Sequence, residues 1–146
     1  MPLKCLPAAI ALAVATAMAP AWGSPEQSYM LYCQGCHGDH AQGVPGKVPP
    51  LAGSLALFMR SAAGRDYLLR VPGAANSALD DAQLTAVLNW LAASFPPAGV
   101  TTPAPEPFTV AELAKARRSP LANVREKRLE VLRALAASGP APPADY

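Results

Sequence analysis

Five consecutive residues, Cys33-Gln34-Gly35-Cys36-His37, constrain this chain more than any other feature. Cysteines three apart share one face of a helix, and a histidine follows the second directly. The C-x-x-C-H spacing is that of covalent haem attachment. Both thiols bond the two vinyl groups of one porphyrin, and His37 is then held against the iron as its proximal ligand. Gly35, between the thiols, lets the ring edge approach the backbone.

The compartment bears on that reading. In a cytosolic chain the same two cysteines suit a redox dithiol or half of a zinc site. Residues 1–23 read instead as a secretory signal peptide. Lys4 supplies a positive start, Ile10-Ala11-Leu12-Ala13-Val14 lies in the apolar stretch, and Ala17, Ala19, Ala21 and Gly23 suit cleavage. Pro20 interrupts the stretch, so a membrane span is the weaker reading, with an uncleaved N-terminal anchor as its form. Cys5 falls inside the signal, which leaves Cys33 and Cys36 in the exported chain. The formal net charge of +2 gives no nucleic-acid footprint. The expected location is the periplasm.

The exported chain divides by composition. Ser24-Pro25-Glu26-Gln27 forms a capping box with proline at the first helical position, opening a helix that runs through Tyr29, Met30, Leu31 and Tyr32 into the cysteine motif. Gly and Pro residues from 38 to 50 predict a loop around the haem edge. Short helices are expected at about 54–61 and 64–70, followed by a loop over 71–79. Asp80 and Gln83 cap a strong helix carrying Leu84, Val87, Leu88, Trp90 and Leu91, which ends before Pro96-Pro97. No alternating strand pattern stands out. The segment 96–107 holds five prolines and reads as a stiff linker. Beyond it, Thr109 and Glu112 form another capping box, Ser119-Pro120 opens a further helix, and 138–146 reads as disordered.

The segment 24–95 resembles a class I cytochrome c domain, of the mitochondrial and bacterial type, over about half the chain. Three features carry the likeness: the aromatic-bearing helix running into Cys33-Gln34-Gly35-Cys36-His37-Gly38, the Pro49-Pro50-Leu51 sequence after the haem loop, and the helix 81–94 with Trp90. The segment 108–146 is similar to uncharacterised C-terminal extensions of exported cytochromes, through Phe108-Thr109, Glu112, Arg118-Ser119-Pro120-Leu121 and Val124. The resemblance implies an all-α fold around one covalent haem c, with a Pro-rich linker and one or two C-terminal helices. It also implies that the carbonyl of Pro49 or Pro50 accepts a hydrogen bond from His37, with Pro50 the assigned candidate, and that helix 81–94 crosses the N-terminal helix. The domain division is then 1–23 signal, 24–95 haem domain, 96–107 linker and 108–146 helical extension. So small a domain is marginal from its own side chains, and the porphyrin supplies much of the missing core.

The sequence departs from the family at the sixth iron ligand. Relatives carry a methionine in the loop before the last helix, and 71–79 has none. Met59 and Asn76 are the candidates, and a vacant or water-filled position is the third possibility. Met59 equally suits core packing, and Asn76 a turn. His40, three residues beyond His37, is expected to be solvated, as are the basic side chains of 117–118 and 125–128.

Residues 24–95 carry four basic and five acidic side chains, and 96–146 seven basic and five acidic. The resemblance implies an electron carrier rather than an enzyme, exchanging electrons with a periplasmic dehydrogenase or another cytochrome. Two other readings stand beside it: a haem protein whose weak or open sixth position binds small gaseous ligands, and a haem subunit docked on a dehydrogenase through its tail. No distal acid/base residue recommends efficient peroxidase chemistry. Zinc or dithiol chemistry lacks a second ligand pair.

Overall fold

A computed structural model describes residues 23–101 and 103–144; the expected signal peptide lies outside them, apart from Gly23. Every regular element among the described residues is helical, as in an all-α cytochrome c fold. Eight helices are described: α1 Pro25–Tyr32, α2 Gln34–His37, α3 Leu55–Phe58, α4 Ala62–Arg70, α5 Pro72–Ala75, α6 Asp81–Ser94, α7 Val110–Ala116 and α8 Val124–Ser138. The nearest approach to a strand is an isolated bridge between Val44 and Val48.

Local chemistry sets most boundaries. Reciprocal capping boxes start α1 at Ser24/Gln27, α6 at Asp80/Gln83 and α7 at Thr109/Glu112, each placing a side-chain acceptor on an otherwise unpaired backbone N–H. Helix α4 begins earlier than its glycine suggests. Ser61 caps it by accepting from Gly64 N–H at 3.0 Å, so Gly64 lies within the first turn. A Cβ there would stand 2.0 Å from the Phe58 carbonyl oxygen, which explains why this turn takes glycine and packs tightly on α3. The expected loop 71–79 contains the single turn α5, opened by Pro72.

The apolar side chains of residues 108–135 share one core with those of 24–95. Phe108, Leu113, Val131, Leu132 and Leu135 are buried in one cluster with Tyr29, Leu55, Phe58, Leu69, Val87 and Leu91. Helix α7 packs on α4 and α6, and α8 packs on α4. Ser119-Pro120 does not open α8. Leu121 N–H instead donates to the Arg70 carbonyl at 2.8 Å, which turns the chain before the helix starts at Val124. Beyond α8, Pro142 is buried, and Pro143 accepts from Arg128, whose guanidinium lies over the Phe58 ring.

Polar contacts lock the extension in register. Asn89, on α6, exchanges two hydrogen bonds with the Phe108 backbone, donating to its carbonyl at 3.0 Å and accepting from its N–H at 2.8 Å. Arg65 pairs bidentately with Glu112 at 2.8 and 2.6 Å, donates to the Glu106 and Pro107 carbonyls, and covers the Phe108 ring at 4.5 Å. Hydrogen bonding and attraction to Arg65 hold the Glu112 carboxyl below its ordinary pKa, against a smaller effect of burial.

Replacing fully buried Leu113 by alanine will cost about 3 kcal/mol in denaturant unfolding of the holoprotein, through lost transfer and the cavity left behind. Glu112→Gln tests the ion pair. Because the folded carboxyl titrates below its unfolded value, wild type will exceed the variant by about 1–2 kcal/mol above pH ~5. That advantage will disappear as pH falls through the depressed folded pKa.

Candidate haem-binding site

The chain leaves α1 at Tyr32 and turns at Cys33, whose carbonyl accepts from the N–H groups of Cys36 and His37 at 3.2 and 3.0 Å. This tight turn sets both thiols and the imidazole on one short helix. Cys33 is half-buried, Cys36 is exposed, and both are free thiols. Burial, with a smaller contribution from Cys36, raises the Cys33 thiol above its ordinary value. A porphyrin bound here would cover what the fold leaves open.

The imidazole is oriented from behind. Its Nδ1 lies 3.1 Å from the Pro49 carbonyl oxygen. The assignment of Pro50 is thus corrected by one residue. The reason lies in the loop: Val44 and Val48 pair around a turn, and Leu51 and Ala52 N–H both donate to the Ala41 carbonyl. Those bonds turn the Pro49 carbonyl toward His37. With Nδ1 donating, Nε2 carries the free lone pair suited to iron. Burial lowers the His37 pKa, and the Pro49 bond opposes it less strongly, so the ring favours the neutral form a metal ligand requires. The donor set and its exposure fit a covalently bound haem.

Gly43 joins the two ends of this arrangement. Its N–H donates to the His37 carbonyl at 2.8 Å, and its φ of +70° is the left-handed region that favours glycine. A Cβ at this position would stand 2.3 Å from the Val48 carbonyl oxygen and 2.8 Å from that of Pro49. The sequence shows a glycine-rich loop but not this role. The Tyr29 hydroxyl donates to the Gly38 carbonyl, and its ring sits 5.6 Å from that of Trp90, so α1 and α6 cross directly beside the cysteine motif.

The candidates for the sixth position lie apart in character. Met59, at the end of α3, is only 3% exposed within the core and lines a cleft beneath Pro103, Pro105 and Glu106. Asn76 is exposed at the C-cap of α5. His40 is solvent-facing, 3.7 Å from Asp39. Arg117, expected on a solvated face, is instead largely covered, and residues 75–81 surround its guanidinium.

The chain is 34% identical over 107 residues to cytochrome c-552 of Thermus thermophilus, a match spanning 61% of this chain and 81% of the relative. This chain belongs to the c-type cytochromes. A second cytochrome c-552, from a designated strain of Thermus thermophilus, matches equally at 34% over 107 residues, with 72% of its length covered. No family model matches the chain. As a c-type cytochrome it is an electron-transfer protein that works through haem iron. Among the described residues no helix is long and apolar enough to cross a membrane.

Gly43→Ala will destabilise the holoprotein by about 2 kcal/mol or more, through left-handed strain and the forced shift of the 48–49 carbonyls. Denaturant titration reads the loss. The His37 ring protons will move in the nuclear magnetic resonance spectrum, which a change confined to the loop surface would not cause.

Proposed function

We propose that this cytochrome is a periplasmic single-electron carrier of the class I type, with one haem c joined by thioether bonds to Cys33 and Cys36 and with His37 as proximal ligand. The observation that carries the reading is the His37 imidazole bonded through Nδ1 to the Pro49 carbonyl, on the same turn as two free thiols. The haem supplies the ferrous–ferric couple. The protein's part is to hold and tune it. Cys33 and Cys36 fix the ring, the Pro49 carbonyl sets the imidazole tautomer and raises its basicity, and half-burial keeps the ring neutral. No acid/base step is required of any side chain.

Electron exchange needs a brief contact near the ring edge. Met30, Leu31 and Tyr32 are exposed immediately before Cys33, with Leu31 78% exposed. This apolar face suits transient partners such as a periplasmic dehydrogenase or another cytochrome. The exported location rests on the N-terminal 23 residues and on the kinship with cytochrome c-552.

We assign the sixth position to Asn76. Met59 is committed to the core, while Asn76 stands exposed in the loop that precedes α6, where family members carry their ligand. An amide is a weak ligand for iron. The same observation favours a second reading, in which small gaseous ligands displace Asn76.

Absorption and paramagnetic resonance spectra of the purified holoprotein test both readings. The carrier requires a covalently held haem, a low-spin ferric iron and reversible one-electron reduction. A high-spin ferric spectrum with rapid carbon monoxide binding by the ferrous form selects the second reading. Asn76→Ala will alter the ferric spectrum and Met59→Leu will leave it unchanged; the reverse pattern moves the ligand to Met59.

A further inference from the structure

The extension reaches back onto the loop before α6 through one side chain. The Arg117 guanidinium donates from Nε to the Ala75 carbonyl at 3.1 Å and from Nη2 to the Ser77 carbonyl at 2.6 Å. Its Nη1 donates to the Leu79 carbonyl at 3.0 Å and to the Asp81 carboxylate at 2.9 Å. Three alternate carbonyls of a five-residue stretch thus converge on one cation, and Asp81 balances its charge. The side chain is only 16% exposed.

Apart from Arg117, no hydrogen bond among the described residues ties 74–79 to the extension. Their other bonds are local: Ala74 and Ala75 N–H to Val71, Asn76 N–H to Pro72, Ser77 N–H to Ala74 and Leu79 N–H to the Ser77 hydroxyl, with Ala74, Ala75 and Leu79 buried beneath them. The carbonyls of 75, 77 and 79 all point to one side, where only a forked donor can satisfy them together. Lysine, a point charge on a flexible stem, lacks that geometry. Arg117 is itself held on both sides. Upstream, Asn89 and Arg65 clasp Phe108 and Glu112 at the start of α7. Downstream, Arg70 Nε donates to the Ser119 carbonyl at 2.7 Å, and Leu121 N–H returns to the Arg70 carbonyl.

We infer that Arg117 is a positioning residue for the distal side of the haem: it fixes the backbone of residues 75–81 and so determines how Asn76 is presented to the iron. The inference deepens the proposed function and rests on its placement of that loop. The extension acts as a strap with Arg117 as its working contact, and the strap stands in for the backbone pairing that the short loop lacks. Every bond of the Arg117 guanidinium goes to the loop or to Asp81, so it acts through the loop.

Hydrogen exchange and ligand binding on the intact holoprotein test this in one set of samples. In Arg117→Ala, the amides of 76–81 will exchange about tenfold faster or more, while those of 84–91 in α6 keep their protection. The ferrous variant will bind carbon monoxide faster than wild type, and its ferric spectrum will shift in the direction that Asn76→Ala produces. Arg117→Lys will fall between the two, since one ammonium cannot serve three carbonyls. Unchanged exchange over 76–81 overturns the strap, whatever the haem ligands are. Faster exchange with unchanged carbon monoxide binding and spectrum overturns the link between Arg117 and the iron. If Asn76→Ala leaves the wild-type spectrum untouched, the assignment of the sixth ligand fails instead, and the exchange result still decides the strap. Should Arg117→Ala not fold, Asp81→Asn removes the counter-charge alone and must give the same direction of change at 76–81.

Discussion

The hydrogen bond between His37 and the Pro49 carbonyl joins two parts of the chain that otherwise have little reason to meet. On one side is a turn of helix carrying two thiols and an imidazole; on the other, a loop almost without regular structure. The bond demands that residues 38–50 fold back over the motif, and the details of that loop follow from it. Gly43 adopts its left-handed conformation so that its N–H can reach His37 while Val48 and Pro49 pass close behind. Ala41 supplies the carbonyl that anchors Leu51 and Ala52. A half-buried imidazole bonded in this way favours the neutral form with Nδ1 protonated, which is the state a metal ligand needs.

Much of this is legible in the residues because capping and spacing are local. Ser24/Gln27, Asp80/Gln83 and Thr109/Glu112 mark helix starts by chemistry that acts within one turn, and all three helices begin there. The spacing of the cysteine motif is likewise local, within five residues. The choice between Pro49 and Pro50 is not local. It depends on a bridge between Val44 and Val48 and on bonds back to Ala41, none of which a run of glycines and prolines specifies. The start of α8 escapes the sequence for a similar reason: Ser119-Pro120 is a plausible opening, but a bond from Leu121 to Arg70 in α4 holds those residues in a turn.

A further difference concerns the extension, whose basic residues at 117–118 and 125–128 suggest a solvated surface. Arginine is the side chain for which such a reading is least secure, because its stem packs and its fork collects carbonyls over a distance. Arg65 and Arg117 both do this, each satisfying backbone oxygens far away in sequence. The leucines and valines of α7 and α8 show the helical periodicity but not which surface they would cover. Burial against α4 and α6 enlarges a core that residues 24–95 alone would leave small.

The pairing of Asn89 with the Phe108 backbone has a consequence for the proline segment between them. Phe95 is tied to Gly53 and Phe108 to Asn89, so the chain is fixed in register at both ends of 96–107, whatever lies between. Within that segment Arg65 holds the Glu106 and Pro107 carbonyls, and the residues before them span the gap. Their covalent continuity sets the local concentration of the extension over its own binding surface rather than the geometry of that surface. A single backbone cleavage within the linker would therefore turn one folded chain into a two-piece complex with its contacts unchanged. The strap would become a separable ligand of the haem domain, with an affinity that can be measured.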